Sequence, residues 1–217
     1  MSLHLRLGIA VLLIPVGHVY SVMKLILGKW AETGVMRALV ERKAIFEESQ
    51  DDNVSGQLPP GYSDAATTGQ GALLFCVQRG RMSEGIDFRD ELARAVVCIG
   101  IPYANTSDPQ IWLKRGFNTK HTAELGLVDG SQWYAYQAYR SLNQSAGRVL
   151  RHGQDWGAII FLESRLKLEV EFDRLSPWIK SKAKTYADIM TARTSLESFF
   201  TDRDASALSY SQSSSDL

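Results

Sequence analysis

Residues 144–152 read Q-S-A-G-R-V-L-R-H, a run whose residue types and spacing suit chemistry on an anion. Arg148 and Arg151 stand three apart, Gln144 precedes the first by four, and Gly147 adjoins it. A guanidinium is a rigid, permanently charged fork that matches phosphate oxygens. Glycine lowers helix stability by about 1 kcal/mol relative to alanine, but it lets another group approach the backbone. The pattern predicts a helix over 131–152. At about 100° per residue, Arg140, Gln144, Arg148 and Arg151 share one side of it, and Ala135, Ala138, Leu142, Ala146 and Val149 form a small apolar stripe opposite. A packed helix with a solvated basic face is the plain alternative. Such faces favour Lys and Glu in i,i+4 pairs, whereas this one carries Arg and Gln without an acid.

A second constellation, V-Q-R-G-R-M-S-E-G-I-D-F at 77–88, directly follows an apolar run. Glycines at the carboxyl end of a parallel strand let backbone N–H groups face a ligand, which is where open α/β sheets bind. A simple strand–turn–helix connection with Asp87 as the helix N-cap is the competing reading.

The elements that must position these groups follow from hydropathy. Leu7–Ile14, Ala72–Val77, Ala95–Ile101 and Ala158–Leu162 are continuous apolar runs, with helical patterns around 20–33, 108–125 and 131–152 between them. Such alternation indicates an α/β domain with a mainly parallel sheet covered on both faces. Residues 36–47 are a candidate extra strand, 48–70 a long polar loop, and the Ser-rich tail 203–217 is expected to be disordered. Lys+Arg 24 against Asp+Glu 24 leaves no net charge, so any polyanion site must be local. Cys76 and Cys98 lie inside apolar runs and read as reduced core residues of an intracellular protein. The four histidines show no metal-ligand spacing, and no metal site is expected. The apolar N-terminal stretch Gly8–Met23 is broken by Pro15, Gly17 and His18, and it falls short of the about twenty residues of a membrane span.

The two stretches, in this order, resemble motifs V and VI of the XPD-like iron–sulfur DNA helicases of superfamily 2. A-R-A-V-V-C-I-G-I-P-Y-A-N, Q-W-Y-A-Y-Q-A-Y-R-S-L-N-Q and D-W-G-A-I-I-F-L-E-S-R are similar to that group as well. The resemblance implies the second of two RecA-like domains, a three-layer fold of the P-loop NTPase type, over residues 1–202 with about the first 19 divergent. It implies a motor in which ATP with Mg²⁺ sits between the domains and single-stranded or forked DNA crosses both. Gln144 would then face the nucleotide, and Arg148 and Arg151 would be the catalytic arginines at the γ-phosphate. Gly85 and Asp87 would couple nucleotide state to the DNA side, and Arg79, Arg81 and Ser83 would touch the DNA backbone. DNA repair in the nucleus follows from the same likeness.

The departures are equally specific. No G-x-x-x-x-G-K-[S/T] is present; Gly28-Lys29 lacks its context, and Asp90-Glu91-Leu92-Ala93 has Ala where D-E-x-H needs His. The four cysteines of the family's iron–sulfur cluster are missing, and P-V-G-H-V-Y replaces an F-F-P-S-Y-like strand end, with only Tyr20 in step. The chain is therefore expected to be a fragment, inactive without an N-terminal helicase domain. The alternative is a non-catalytic RecA-like module that binds nucleic acid or protein.

Overall fold

The computed structural model describes residues 9–13, 19–48, 57–68, 70–80, 86, 88, 90–150 and 152–213. Among these, β1 (Ile9–Leu13), β2 (Ala44–Glu47), β3 (Ala72–Val77), β4 (Ala95–Ile99) and β5 (Ala158–Leu162) form one parallel sheet in the order β2-β3-β1-β4-β5. β1 is central, with Leu13 opposite Val77 and Leu12 opposite Cys98. Every residue of β3 is buried. That is why its sequence, A-L-L-F-C-V, shows no polar alternation.

Helices cover both faces. Leu73, Phe75 and Val77 pack against Met23 and Leu27 of α1 (Val19–Glu32), where Trp30 meets Phe75 edge-on at 5.7 Å. On the other face, Leu74, Cys76, Val96 and Cys98 pack against Ala138, Leu142 and Ala146 of α5 (Gly130–Ala146). The small apolar stripe is thus the packed side of α5, as expected. This is the three-layer RecA-like α/β architecture. Burial pushes the Cys98 thiol up to about 12 and the Cys76 thiol well above its ordinary range, so both are inert core residues.

Several elements differ from expectation. Only Ala44–Glu47 of the candidate strand 36–47 is extended, since α2 (Val35–Val40) takes its first part after Gly34 reverses the chain at φ 79°. The polar loop 48–70 contains α3 (Tyr62–Thr67), because Tyr62 is fully buried and donates its hydroxyl to the Leu92 carbonyl at 2.8 Å. α4 (Pro109–Leu125) begins with the Asp108 side chain accepting from the Gln110 N–H and ends at Gly126, φ 63°. Two short helices follow β5, α6 (Glu169–Phe172) and α7 (Pro177–Lys180). Residues 203–213, expected to be disordered, continue the last helix, α8 (Ile189–Ser213). Once a helix is nucleated each further residue adds a hydrogen bond, and Ala205, Ala207 and Leu208 are strong helix formers, an effect that serine content hides. Residues 214–217 lie outside the described residues, as do Leu7, Gly8 and Ile14 of the expected first strand. No described helix is long and apolar enough to cross a membrane.

A buried ion pair ties the start of β4 to the start of β5. The Arg94 guanidinium donates to Asp155 Oδ1 at 2.7 Å and to the Trp156 carbonyl at 3.0 Å, and it lies 4.5 Å from the Trp156 ring centroid. The two side chains are 9% and 0% exposed. Removing one partner strands the other charge in the interior. Asp155→Ala should therefore lower stability by about 3–5 kcal/mol, read as a fall in the denaturant midpoint, and an unchanged midpoint would show that the pair contributes nothing.

Candidate functional site

The chain turns as soon as β3 ends. Arg79 adopts φ 63°, the left-handed region, and the Gly80 N–H closes the turn on the Val77 carbonyl at 2.9 Å. Glu48, 2% exposed at the end of β2, accepts the Val77 N–H on Oε2 at 2.7 Å. A Cβ on Gly80 would lie 2.7 Å from the Val77 oxygen and 2.8 and 2.9 Å from the Glu48 carboxylate oxygens. Glycine is required there because a carboxylate and a carbonyl close over the backbone. The clasp fixes Arg79 at the carboxyl end of the sheet.

Arg79 faces a cleft of about 650 Å³, which Gln144 and Arg148 also line. Arg140, Gln137 and Trp178 complete much of the remaining wall. Arg140 and Gln144 are exposed and Arg148 is half-buried. The Arg148 guanidinium donates to the Ile86 carbonyl at 3.1 Å, which joins the turn after α5 to the segment after β3.

The helix expected over 131–152 stops earlier. α5 ends at Ala146, and Gly147–Val149 form a 3-10 turn, so Arg148 leaves the α-helix at its carboxyl end. Glycine's low helix propensity favours a stop there. The group that approaches Gly147 is Trp178, whose Cζ2 lies 3.9 Å from the position of a Cβ. Asn143, one turn earlier, donates its side-chain amide to the Arg174 carbonyl at 3.2 Å and accepts the Ser176 N–H at 2.9 Å, which docks the segment carrying Trp178.

Of the expected site residues, Arg79, Gln144 and Arg148 meet in this one cleft. Arg79, read as a DNA contact, therefore shares a wall with residues read as nucleotide contacts. Arg81, Ser83, Gly85, Asp87 and Arg151 lie outside the described residues. Sequence reasoning misses Gln137 and Trp178. Gln137 precedes Gln144 by seven and lies on the same helix face, which is a usable signal, whereas nothing local marks Trp178. The fold also gathers Asp90, His152 and Asp155, with one potential ligand atom of each within 4.8 Å of the others. Asp155 is already engaged by the Arg94 guanidinium, whose positive charge opposes a metal ion there.

Comparison with known proteins adds the family. The model of a family described as the helicase C-terminal domain matches residues 14–182. The chain belongs to that family. It is 41% identical over 187 residues to a Fanconi anemia group J protein homolog of Gallus gallus, covering 83% of this chain and 15% of that protein. It is 34% identical over 162 residues to a regulator of telomere elongation helicase 1 homolog of Drosophila ananassae, covering 74% and 16%. It is 34% identical over 192 residues to the ATP-dependent DNA helicase DDX11 of Danio rerio, covering 85% and 22%. These relatives place it among the XPD-like helicases of superfamily 2, as the motifs implied. The chain spans 15–22% of the length of these three relatives.

The residues present do not fit the family's iron–sulfur cluster. Cluster ligands are thiolates, while Cys76 and Cys98 are buried thiols with raised pKa. Arginines and amides around the cleft do fit phosphate oxygens. Gly80→Ala should cost roughly 1–3 kcal/mol, because its methyl has no space against backbone. It should also displace Arg79, so that the thermal midpoint falls and phosphate-analogue binding weakens together. A variant as stable as the parent would show that the clasp is loose.

Proposed function

We propose that this chain is the C-terminal motor domain of an ATP-dependent DNA helicase that acts in DNA repair in the nucleus. The observation that carries the reading is the convergence of Gln144 and Arg148 with Arg79 and Arg140 in one cleft, with Arg148 bonded across to the carbonyl of Ile86. ATP with Mg²⁺ would lie between this cleft and an N-terminal helicase domain, which would supply the phosphate loop and the metal ligands. Gln144 faces the nucleotide, and Arg148 and Arg151 reach the γ-phosphate. In phosphoryl transfer, charge spreads over the equatorial oxygens of the moving group, and an arginine there accelerates reaction by about 10³–10⁵. Gly85 and Asp87, which flank Ile86 in the sequence, would couple nucleotide state to Arg81 and Ser83 at the DNA backbone, with Arg79, on the wall of the cleft itself, between the two ligands. The Arg148–Ile86 bond gives that transmission a physical route, because moving the guanidinium toward a phosphate pulls on this backbone.

Two measurements test the reading. The purified chain should show no ATP hydrolysis, with or without DNA, since its half of the site has arginines and no phosphate loop. Joined to the N-terminal helicase domain of a relative, it should hydrolyse ATP. There Arg148→Ala should slow turnover by about 10³-fold or more while leaving single-strand affinity nearly unchanged. Equal losses in both would make Arg148 structural, and a reassembled protein that binds DNA without turnover would favour a non-catalytic module.

A further inference from the structure

We propose that Trp178 is a nucleobase platform, stacking a planar base on its indole while the arginines of the same cleft hold the attached phosphates. This rests on the cleft being a phosphate site, as proposed for the motor, and adds the part of the ligand that carries no charge.

The ring is placed to receive a stacking partner. On α7, Ile179 is 5% exposed and anchors the turn in the core, whereas Trp178 beside it is 43% exposed and lines the cleft. Trp156 shows the contrasting case, with its ring packed among Arg94, Phe199 and Phe200. Among the described residues no aromatic pair and no cation–π contact involves Trp178. The ring is nevertheless well positioned. Asn143 bonds both Arg174 and Ser176, Pro177 stiffens the first turn of α7, and the ring edge lies 3.9 Å from where a Cβ on Gly147 would sit. A positioned, half-open aromatic face loses little conformational freedom when a second ring stacks on it.

The neighbours of the ring narrow the ligand. Arg79, Arg140 and Arg148 line the cleft with Trp178, and no described lining residue is an acid. A bare phosphate would leave the indole in water, and an apolar peptide would offer nothing to the positive charge of the wall. A base joined to phosphate satisfies both, and a volume of about 650 Å³ lies within the range of about 300–1,000 Å³ typical of small-ligand sites. A free nucleotide and a nucleotide within a single strand share this chemistry.

The test uses the whole chain, titrated by calorimetry at fixed low salt with ATP, with tripolyphosphate and with an oligodeoxythymidylate, in the parent, Trp178→Ala and Trp178→Phe. Stacking is worth about 1–3 kcal/mol per base, so Trp178→Ala should weaken a base-bearing ligand by about 5- to 150-fold and leave tripolyphosphate unchanged. Trp178→Phe should restore most of the affinity while abolishing the binding-linked quench of indole fluorescence, a readout that holds even if the alanine variant folds poorly. A loss confined to ATP assigns the platform to a free nucleotide, and a loss confined to the oligonucleotide assigns it to a strand. The proposal is overturned if Trp178→Ala alters no ligand, if it weakens tripolyphosphate equally, or if Trp178→Phe retains the full quench. It is also overturned if the parent binds none of the three. Arg148-dependent turnover in the reassembled helicase tests the motor reading separately, so the two can fail independently.

Discussion

The position of the arginine-lined cleft depends on a buried charge pair that does not touch it. Arg94 and Asp155 lock the starts of β4 and β5 together, and Ala158 begins β5 by donating its N–H to the Arg94 carbonyl at 2.9 Å. Between them Gly157 lies so close to Val149 that a Cβ would sit 2.7 Å from its Cγ2. Val149 is fully buried and adjoins Arg148. The register of the 3-10 turn, and with it the reach of the arginine, is therefore set by packing against residues that follow it in the chain. Trp156 extends the same lock to Phe199 and Phe200 of α8 at 6.0 and 6.1 Å. A buried ion pair is weak evidence for stability, since apolar residues of the same shape often serve as well. Its use here is directional: it admits one arrangement of the two strand starts.

The turn after β3 is built against stability. Arg79 sits in a conformation that costs a non-glycine residue of order 1–3 kcal/mol. Beside it Gln78 is fully buried, and among the described residues neither polar atom of its side-chain amide has a hydrogen-bond partner; a buried amide left so costs about 1–3 kcal/mol per group. Glu48, itself a buried acid, holds the turn in place despite these costs. Nothing about turning the chain after a strand demands such an arrangement, because Gly80 alone could make the reversal. What the strain achieves is an arginine aimed into the cleft from the carboxyl end of the sheet.

Much of this was legible because the signals were local. β3, β4 and β5 announced themselves as apolar runs with no alternation, and α4 as a helical pattern around 108–125. α2 and α3 escaped because six residues are fewer than two turns, too short for a period to show, and P-P-G-Y reads as a turn. Gln144, Arg148 and Arg79 were visible from residue type and from likeness to known motifs. Trp178 was not, since L-S-P-W-I-K reads only as a short capped turn, and which of its faces meets the cleft is decided by Asn143 bonding to residues 31 and 33 positions away. The approach of His152 to Asp90, 62 positions apart, is likewise a product of the fold alone.

The balance of charges explains how a neutral chain can hold a strongly cationic cleft. With 24 basic and 24 acidic residues the molecule has no overall field, so selectivity must come from where acids are placed. Several are used to neutralise arginines elsewhere: Asp155 with Arg94, Glu163 with Arg165 at 2.6 Å, and Glu171 with Arg174 at 2.6 Å. Arg79, Arg140 and Arg148 share a cleft whose described lining includes no acid. Field lines concentrate where low-dielectric walls converge, so a concave wall that carries several arginines focuses their positive potential. An anion bound there would meet positive charge from three side chains. Arginine rather than lysine suits this arrangement, because its weakly hydrated, planar head gives up less water on meeting phosphate and retains two parallel donors for it.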